Sequence, residues 1–310
     1  MTELSMRDAF LDTLYEVAQE NHDVILLSND LGAPSLDKFR SDLSAQFIHG
    51  GISEQNQVNL AAGLAMEGKR VFLYSISPFL PLRCLEQIRL HLCVKGLPVT
   101  LVGLGAGYAY DKSGPTHHSI EDIAVMRALP NITILSPSDS VMAAAFAHMA
   151  YSEPGPKYIR LDRESLPQLY GDGSEFKYGM ISPKGGRDIN IISTGYMVHQ
   201  AMKVAGKLQE HQIYARVLDL YRIKPIDTRM LLQAVKMRGA VVTLEEHFVT
   251  GGIGSIVAEI LADSGKSTPL LRLGIPDQYF LDYGRETLHK LCGLDVESVT
   301  ERILEWLRKR

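Results

Sequence analysis

The stretch Phe47-Ile48-His49-Gly50-Gly51-Ile52-Ser53-Glu54-Gln55-Asn56-Gln57 decides how the rest of the chain is read. A short apolar run ends in two glycines, and a serine then opens a segment with Leu60, Ala61, Leu64 and Ala65 at helical spacing. Ser53 is a suitable N-cap, and Gly68 a suitable stop just past the last periodic residue. The pattern is strand, tight corner, helix. Glu54 is thereby predicted in a first helical turn at a sheet edge, where open α/β folds bind their ligands. A carboxylate there also answers the helix macrodipole with no ligand at all, so the meaning of Glu54 depends on its company.

The same alternation continues on both sides. Residues 5–21 carry Ala9, Phe10, Leu14, Val17 and Ala18 at helical spacing, and Val24-Ile25-Leu26-Leu27 reads as a buried strand. After the Glu54 helix come a strand at 71–75, a helix over about 81–95 and a strand at 99–102. A long loop bearing glycine and tyrosine then runs to His118, followed by a helix near 119–128, a strand at 132–135, a helix at 138–151 and a strand at 158–161. Between about 165 and 187 the pattern lapses into Pro, Gly and charged residues. A second alternation follows: strands at 189–192, 214–219, 240–244 and 270–273, with helices at 196–209, near 227–237, after Gly251-Gly252-Ile253-Gly254, and at about 295–309. Near-continuous apolar strands between helices predict an α/β chain of two domains. Each is a mostly parallel sheet covered by helices on both faces.

Composition bounds the function. The 310 residues are 45% hydrophobic and 22% charged, ordinary for a soluble globular protein. A formal net charge of −4 leaves no basic footprint for nucleic acid. Cys84, Cys93 and Cys292 are odd in number and lack metal spacing, as expected of reduced thiols. With no signal-peptide pattern and no apolar run long enough to span a bilayer, a cytoplasmic protein without membrane contact is expected.

Two candidate motifs have plain readings. Gly171-Asp172-Gly173 opens like a metal–diphosphate motif but lacks a strand before it and a suitable Asn after it, so an ordinary turn is expected. Gly251-Gly252-Ile253-Gly254 lacks a full dinucleotide fingerprint and reads as close strand–helix packing, with Glu245-Glu246-His247 beside it as a solvated turn rather than a set of ligands. The loop Asp111-Lys112-Ser113-Gly114-Pro115-Thr116-His117-His118 is different. Adjacent histidines after a Gly-Pro turn, at the carboxyl end of a strand, are poorly placed for core packing, and imidazole suits proton transfer.

In order, Gly51-Ile52-Ser53-Glu54, Phe79, Gly114-Pro115-Thr116-His117, Ser136-Pro137-Ser138-Asp139, Arg160 and Arg163 resemble the C-terminal half of transketolases. Ile223-Lys224-Pro225-Ile226-Asp227 and Glu245 to Gly254 continue the resemblance. It covers nearly the whole chain: a thiamine diphosphate-binding pyrimidine domain over 1–170, a linker over 171–187 and a transketolase C-terminal domain over 188–310. The diphosphate-binding domain has no counterpart here. The resemblance therefore implies a split transketolase, working in an α2β2 heterotetramer with a separate N-terminal subunit. That partner would hold the diphosphate and its Mg²⁺ (or Ca²⁺ or Mn²⁺), with no metal ligand in this chain.

The resemblance also implies residue roles. The glutamate matching Glu54 hydrogen-bonds N1′ of the cofactor's aminopyrimidine and favours the imino tautomer that takes the thiazolium C2 proton. Phe79 matches the aromatic stacked on the pyrimidine, and Asp30 an aspartate near the cofactor. His117 matches the catalytic histidine at the donor's hydroxyls and carbonyl, with His118 where Gln is usual. Arg163, Arg160, Arg7 and Ser35 match contacts to the sugar-phosphate end. Two positions depart: Ser113 stands where an aspartate reads a substrate hydroxyl, and Gly105 where a histidine binds phosphate. The expected reaction is transfer of a two-carbon ketol unit from a ketose or ketose phosphate to an aldose, on a specialised sugar. The alternatives are a 2-oxoacid dehydrogenase β subunit, a deoxyxylulose-phosphate synthase-like enzyme, and a non-catalytic assembly subunit.

Overall fold

A computed structural model describes residues 4–29, 32, 34–171, 173–236, 239–265, 267–281 and 283–310. Asp30 and Asp172, the latter in Gly171-Asp172-Gly173, lie outside the described residues.

The first half runs α1 (Met6–Glu20), β1 (Val24–Asn29), α2 (Pro34–Asp42), β2 (Phe47–Gly51), α3 (Glu54–Met66), β3 (Arg70–Ile76), α4 (Leu85–Gln87), β4 (Val99–Leu104), α5 (Asp122–Arg127), β5 (Thr133–Leu135), α6 (Ser140–Ser152) and β6 (Lys157–Leu161). The second half runs β7 (Ile181–Lys184), β8 (Ile189–Ser193), α7 (Tyr196–Glu210), β9 (Ala215–Asp219), β10 (Arg222–Lys224), α8 (Thr228–Lys236), β11 (Val241–Phe248), α9 (Ile253–Asp263), β12 (Leu270–Ile275), α10 (Arg285–Cys292) and α11 (Val296–Arg308).

Local chemistry explains the elements. Ser5 caps α1 by accepting from Asp8 N at 3.1 Å, and the helix turns Phe10, Leu14 and Ala18 into the core. Every residue of β1 and β4 is buried, as in a parallel sheet covered on both faces. Helix α4 passes at once into a π-helix over Ile88–Cys93.

The first sheet has the order β10-β5-β6-β4-β3-β1-β2, the second β12-β11-β8-β9-β7. Pairings are parallel except at two edges, where β10 runs antiparallel to β5 and β7 antiparallel to β9. The mostly parallel two-sheet fold expected from the sequence is present, with two differences. The stretch read as linker contains β7, which closes the second sheet. Strand β10 lies within the second alternation yet completes the first sheet, Arg222 opposite Leu135 and Lys224 opposite Ile134. Lys224 Nζ donates to Arg127 O at 2.8 Å, binding the crossing strand to α5. The two halves are thus interlocked. One core cluster also joins them, with Leu231, Ile253 and Val257 packed together with Leu73, Leu101 and Ile123.

Candidate active site

The carboxyl edge of the first sheet gathers most of the residues singled out in the sequence. At the β2–α3 corner a Cβ on Gly50 would lie 1.9 Å from Gln57 Nε2, so a side chain there would have to displace Gln57. Gly51 turns the chain at φ +60°. Ser53 is the N-cap by position, but its hydroxyl donates back to Gly50 O at 2.7 Å rather than capping α3. That bond braces the corner and leaves the helix N-terminus to Glu54. Glu54 is buried, and its Oε2 accepts from Arg83 Nη1 at 2.6 Å. The Arg83 guanidinium in turn lies 4.3 Å over the Phe79 ring. Close by, Asn29 Nδ2 donates to Gly51 O at 3.2 Å, while Asn29 Oδ1 and Gln57 Oε1 are buried acceptors with no partner among the described residues.

The loop after β4 brings in the histidines. The His117 ring lies 5.3 Å from Phe79 and 5.8 Å from Tyr110. His117 Nδ1 is 2.9 Å from Thr116 Oγ1, and that hydroxyl donates to Ser113 O at 3.2 Å. The hydroxyl proton is thus committed, so Thr116 Oγ1 accepts from Nδ1 and leaves Nε2 as the basic nitrogen. Burial, then the neighbouring His118, lowers the His117 pKa and favours the neutral ring. His118 is buried, donates from Nε2 to Asp111 O at 3.0 Å and packs edge-on against Tyr108. It braces the loop. Ser113 is exposed on a short 3-10 turn, Asp111–Ser113.

Arg163 reaches the same edge, its guanidinium 5.0 Å over the Tyr110 ring. Arg7 is bound to Asp8 by two hydrogen bonds, of 2.8 and 3.0 Å, and Ser35 Oγ donates to Asp8 Oδ1 at 3.4 Å. Burial works against ionisation of Asp8, but the hydrogen bonds from Arg7 and Ser5 outweigh it and hold the carboxyl below its usual range.

Arg160 is not among this group. It is buried and clamps Asp122 with two bonds, of 2.6 and 3.0 Å, which leaves its guanidinium committed to a structural pair. The expectation that Glu245-Glu246-His247 is a solvated turn is overturned: all three are buried on β11, each with partners. Glu245 accepts from Ile253 N at 2.7 Å and Gly254 N at 2.9 Å, so the chain's own carboxyl group occupies the start of α9. A Cβ on Gly252 would strike that carboxylate at 1.9 Å, in keeping with the packing role read for the glycines. Glu246 accepts from Arg285 at 2.9 and 2.7 Å and from His289 Nε2 at 2.5 Å. Burial raises the Glu246 pKa, yet Arg285 and His289 hold it well below the usual carboxylate range. Arg285 also grips Asp162, at 3.2 and 2.8 Å, and its backbone N–H donates to Asp111 Oδ2 at 3.0 Å. The second domain thereby holds the loop that carries His117.

Two residues central to this geometry, Arg83 and Tyr110, escaped the reading of the sequence. Arg83 falls four residues after Phe79 and Tyr110 seven before His117; only an interest in what flanks those two would have found them.

Family models match both halves: the transketolase pyrimidine binding domain over residues 2–168 and the transketolase C-terminal domain over 178–299. The chain is 35% identical to one subunit of the apulose-4-phosphate transketolase of Phocaeicola vulgatus over 309 residues, 99% of this chain and 98% of that one. It is 36% identical to a 6-deoxy-6-sulfo-D-fructose transketolase subunit, SqwH, of a Clostridium species, covering 88% of this chain and 85% of that one. Among solved structures, a split gene transketolase described as an inactive beta4 tetramer superposes with a TM-score of 0.87 at 34% identity, covering 97% of this chain and 98% of that one.

Proposed function

Because the chain belongs to the transketolase family, we propose that it is the C-terminal subunit of a split, thiamine diphosphate-dependent transketolase. A separate N-terminal subunit supplies the diphosphate-binding domain and the Mg²⁺ site, and the two assemble as an α2β2 heterotetramer in the cytoplasm. The observation that carries this reading is the run of contacts Glu54–Arg83–Phe79–His117–Tyr110–Arg163 along one sheet edge.

The residues fit the aminopyrimidine end of the cofactor. Glu54 is a buried carboxylate that already accepts from a planar cation lying on the Phe79 face. The orphaned Oδ1 of Asn29 and Oε1 of Gln57 offer further acceptors beside it. Bound there, thiamine diphosphate supplies the electron sink that ketol transfer requires. Glu54 holds a proton at the ring nitrogen, and Phe79 fixes the ring plane, a stack of about 1 kcal/mol beyond area burial. His117, neutral and with no partner on Nε2 among the described residues, exchanges a proton with the sugar oxygen at the reacting carbon. Arg163 holds the far end of the sugar, with Arg7 and Ser35 beside it. Ser113 brings a neutral hydroxyl where the resemblance expects a carboxylate. The substrate proposed is therefore a specialised ketose or ketose phosphate, a reading supported by relatives named for apulose 4-phosphate and for a sulfosugar.

The test is reconstitution with an N-terminal transketolase subunit, thiamine diphosphate and Mg²⁺, assayed on xylulose 5-phosphate with ribose 5-phosphate and on a panel of other ketoses. Ketol transfer with a clear preference for one panel sugar is expected. Release of CO₂ from pyruvate, without ketol transfer, would contradict the reading.

A further inference from the structure

Tyr110 stands at the middle of the site, between the two groups assigned to opposite ends of the sugar. Its ring is 5.8 Å from the His117 ring, and the Arg163 guanidinium lies 5.0 Å over it. Position 105 accounts for its place. A Cβ on Gly105 would come within 2.2 Å of Tyr110 Cδ2, and the backbone φ there is +94°, a conformation that side chains rarely adopt. Gly105 and Tyr110 are thus one arrangement, the ring filling the space that a side chain at 105 would need.

The ring is half-buried, yet among the described residues nothing hydrogen-bonds its hydroxyl. The charges around it are unequal. Arg7 is neutralised by two hydrogen bonds to Asp8, while Arg163 has no carboxylate partner among the described residues. A phenol whose ring carries one uncompensated guanidinium over its face suits a tetrahedral oxyanion: the cation meets the charge, and the hydroxyl meets an oxygen that the guanidinium fork leaves over.

We propose that Tyr110 is a specificity-determining residue, its hydroxyl donating to the oxyanion, phosphate or sulfonate, at the far end of the ketose beside Arg163. This rests on the function proposed above, which runs the sugar from His117 to Arg163. It assigns the selection of the terminal group to a neutral donor on the 105–118 loop.

The test compares wild type with Tyr110→Phe, which keeps the ring and its packing, in the reconstituted complex. Substrates are xylulose 5-phosphate, 6-deoxy-6-sulfofructose and xylulose, which has no terminal anion. For the better of the two anion-ended sugars, KM rises about tenfold or more, as for a lost hydrogen bond to a charged group. In the same variant kcat stays within about twofold, and KM for xylulose shifts less than about threefold. The larger shift of the two identifies phosphate or sulfonate as the ligand. If wild type turns over no sugar, which would count against the proposed function itself, calorimetric Kd values for the same sugars replace KM. Tenfold weaker binding to Tyr110→Phe still supports the assignment. Equal constants for wild type and variant on both anion-ended sugars, or no binding of either by wild type, overturn it.

Discussion

Arg83 donates to Glu54 at 2.6 Å while lying 4.3 Å over the Phe79 ring, so one side chain engages both residues assigned to the aminopyrimidine. The pair is lopsided. Glu54 is 5% exposed and Arg83 42%, so the carboxylate is fixed in the protein while the arginine can swing into solvent. Arg83 is the counter-charge to the carboxylate at this corner, and under the proposed function a ring nitrogen would take over its hydrogen bond.

Replacing Arg83 with Met should expose that dependence. The variant leaves Glu54 buried without its partner and should lose about 1–2 kcal/mol of stability, the cost of an unmet buried acceptor discounted for the exposed arginine. In the reconstituted complex, thiamine diphosphate should raise the variant's melting temperature by more than it raises that of wild type. Thermal melts with and without cofactor measure this; equal increments would count against the role given to Arg83.

Asp111 ties the His117 loop to the second domain through Arg285 N at 3.0 Å, and its carbonyl receives His118. Asp111→Ala should lower kcat/KM about tenfold, through loss of alignment rather than of a reacting group. Because Arg285 keeps Asp162 and Glu246, the melting temperature should hardly move. A large drop in stability with unchanged kcat/KM would make Asp111 a packing residue only.

Gly107→Ala should be costly. The backbone there has φ +62°, and an added Cβ would lie 2.0 Å from Glu246 Oε2, a carboxylate that Arg285 and His289 hold in place. Strain and a displaced buried ion pair together predict a loss of about 2–4 kcal/mol, read as a fall in denaturation midpoint.

Asp219 predicts a pH dependence. Burial pushes its carboxyl up to about 7 from 3.8, although Ser138 and Tyr170 donate to it and favour the charged form. Since the folded value lies above the unfolded one, the associated stability is complete below about pH 4 and is lost as pH rises through about 7. Glu245, pushed up to about 8 by burial, acts in the same direction and is common to wild type and variant. Asp219→Asn should therefore gain melting temperature relative to wild type between pH 5 and 8, as calorimetry at stepped pH would show. A constant difference across that range would remove Asp219 from the account.

The fold was legible wherever burial follows hydrophobicity. Strands such as Val24–Asn29 and Val99–Leu104 are apolar runs between turn signals, and Gly51 and Gly68 mark corners that need positive φ. What escaped was decided by tertiary partners. Helix α2 buries only Ser35, Leu36 and Phe39, and α10 buries two polar residues, Arg285 and His289, so neither shows a plain apolar stripe. Glu245-Glu246-His247 looked like a turn because three ionisable residues seldom lie inside a strand. They do so here because Arg285, His289 and the start of α9 meet them, and those partners are up to 43 residues away. Strand β10 pairs with β5 across almost 90 residues, which no local pattern announces. At the candidate site, contacts through Arg83 link Glu54, Phe79 and His117, residues that each lie after a strand the sequence marks. Arg160 is paired with Asp122 instead of joining them, and sequence carries no trace of that partner.

If this chain holds half of an active site, Glu54 is its indispensable group. The most direct measurement is ketol transfer by the chain alone, by the chain with an N-terminal transketolase subunit, and by Glu54→Gln with that subunit, all with thiamine diphosphate and Mg²⁺. Expected are no turnover by the chain alone, turnover in the complex, and a loss of at least about 100-fold in the variant despite an unchanged circular dichroism spectrum. Turnover by the isolated chain, or a Glu54→Gln complex as active as wild type, would contradict this.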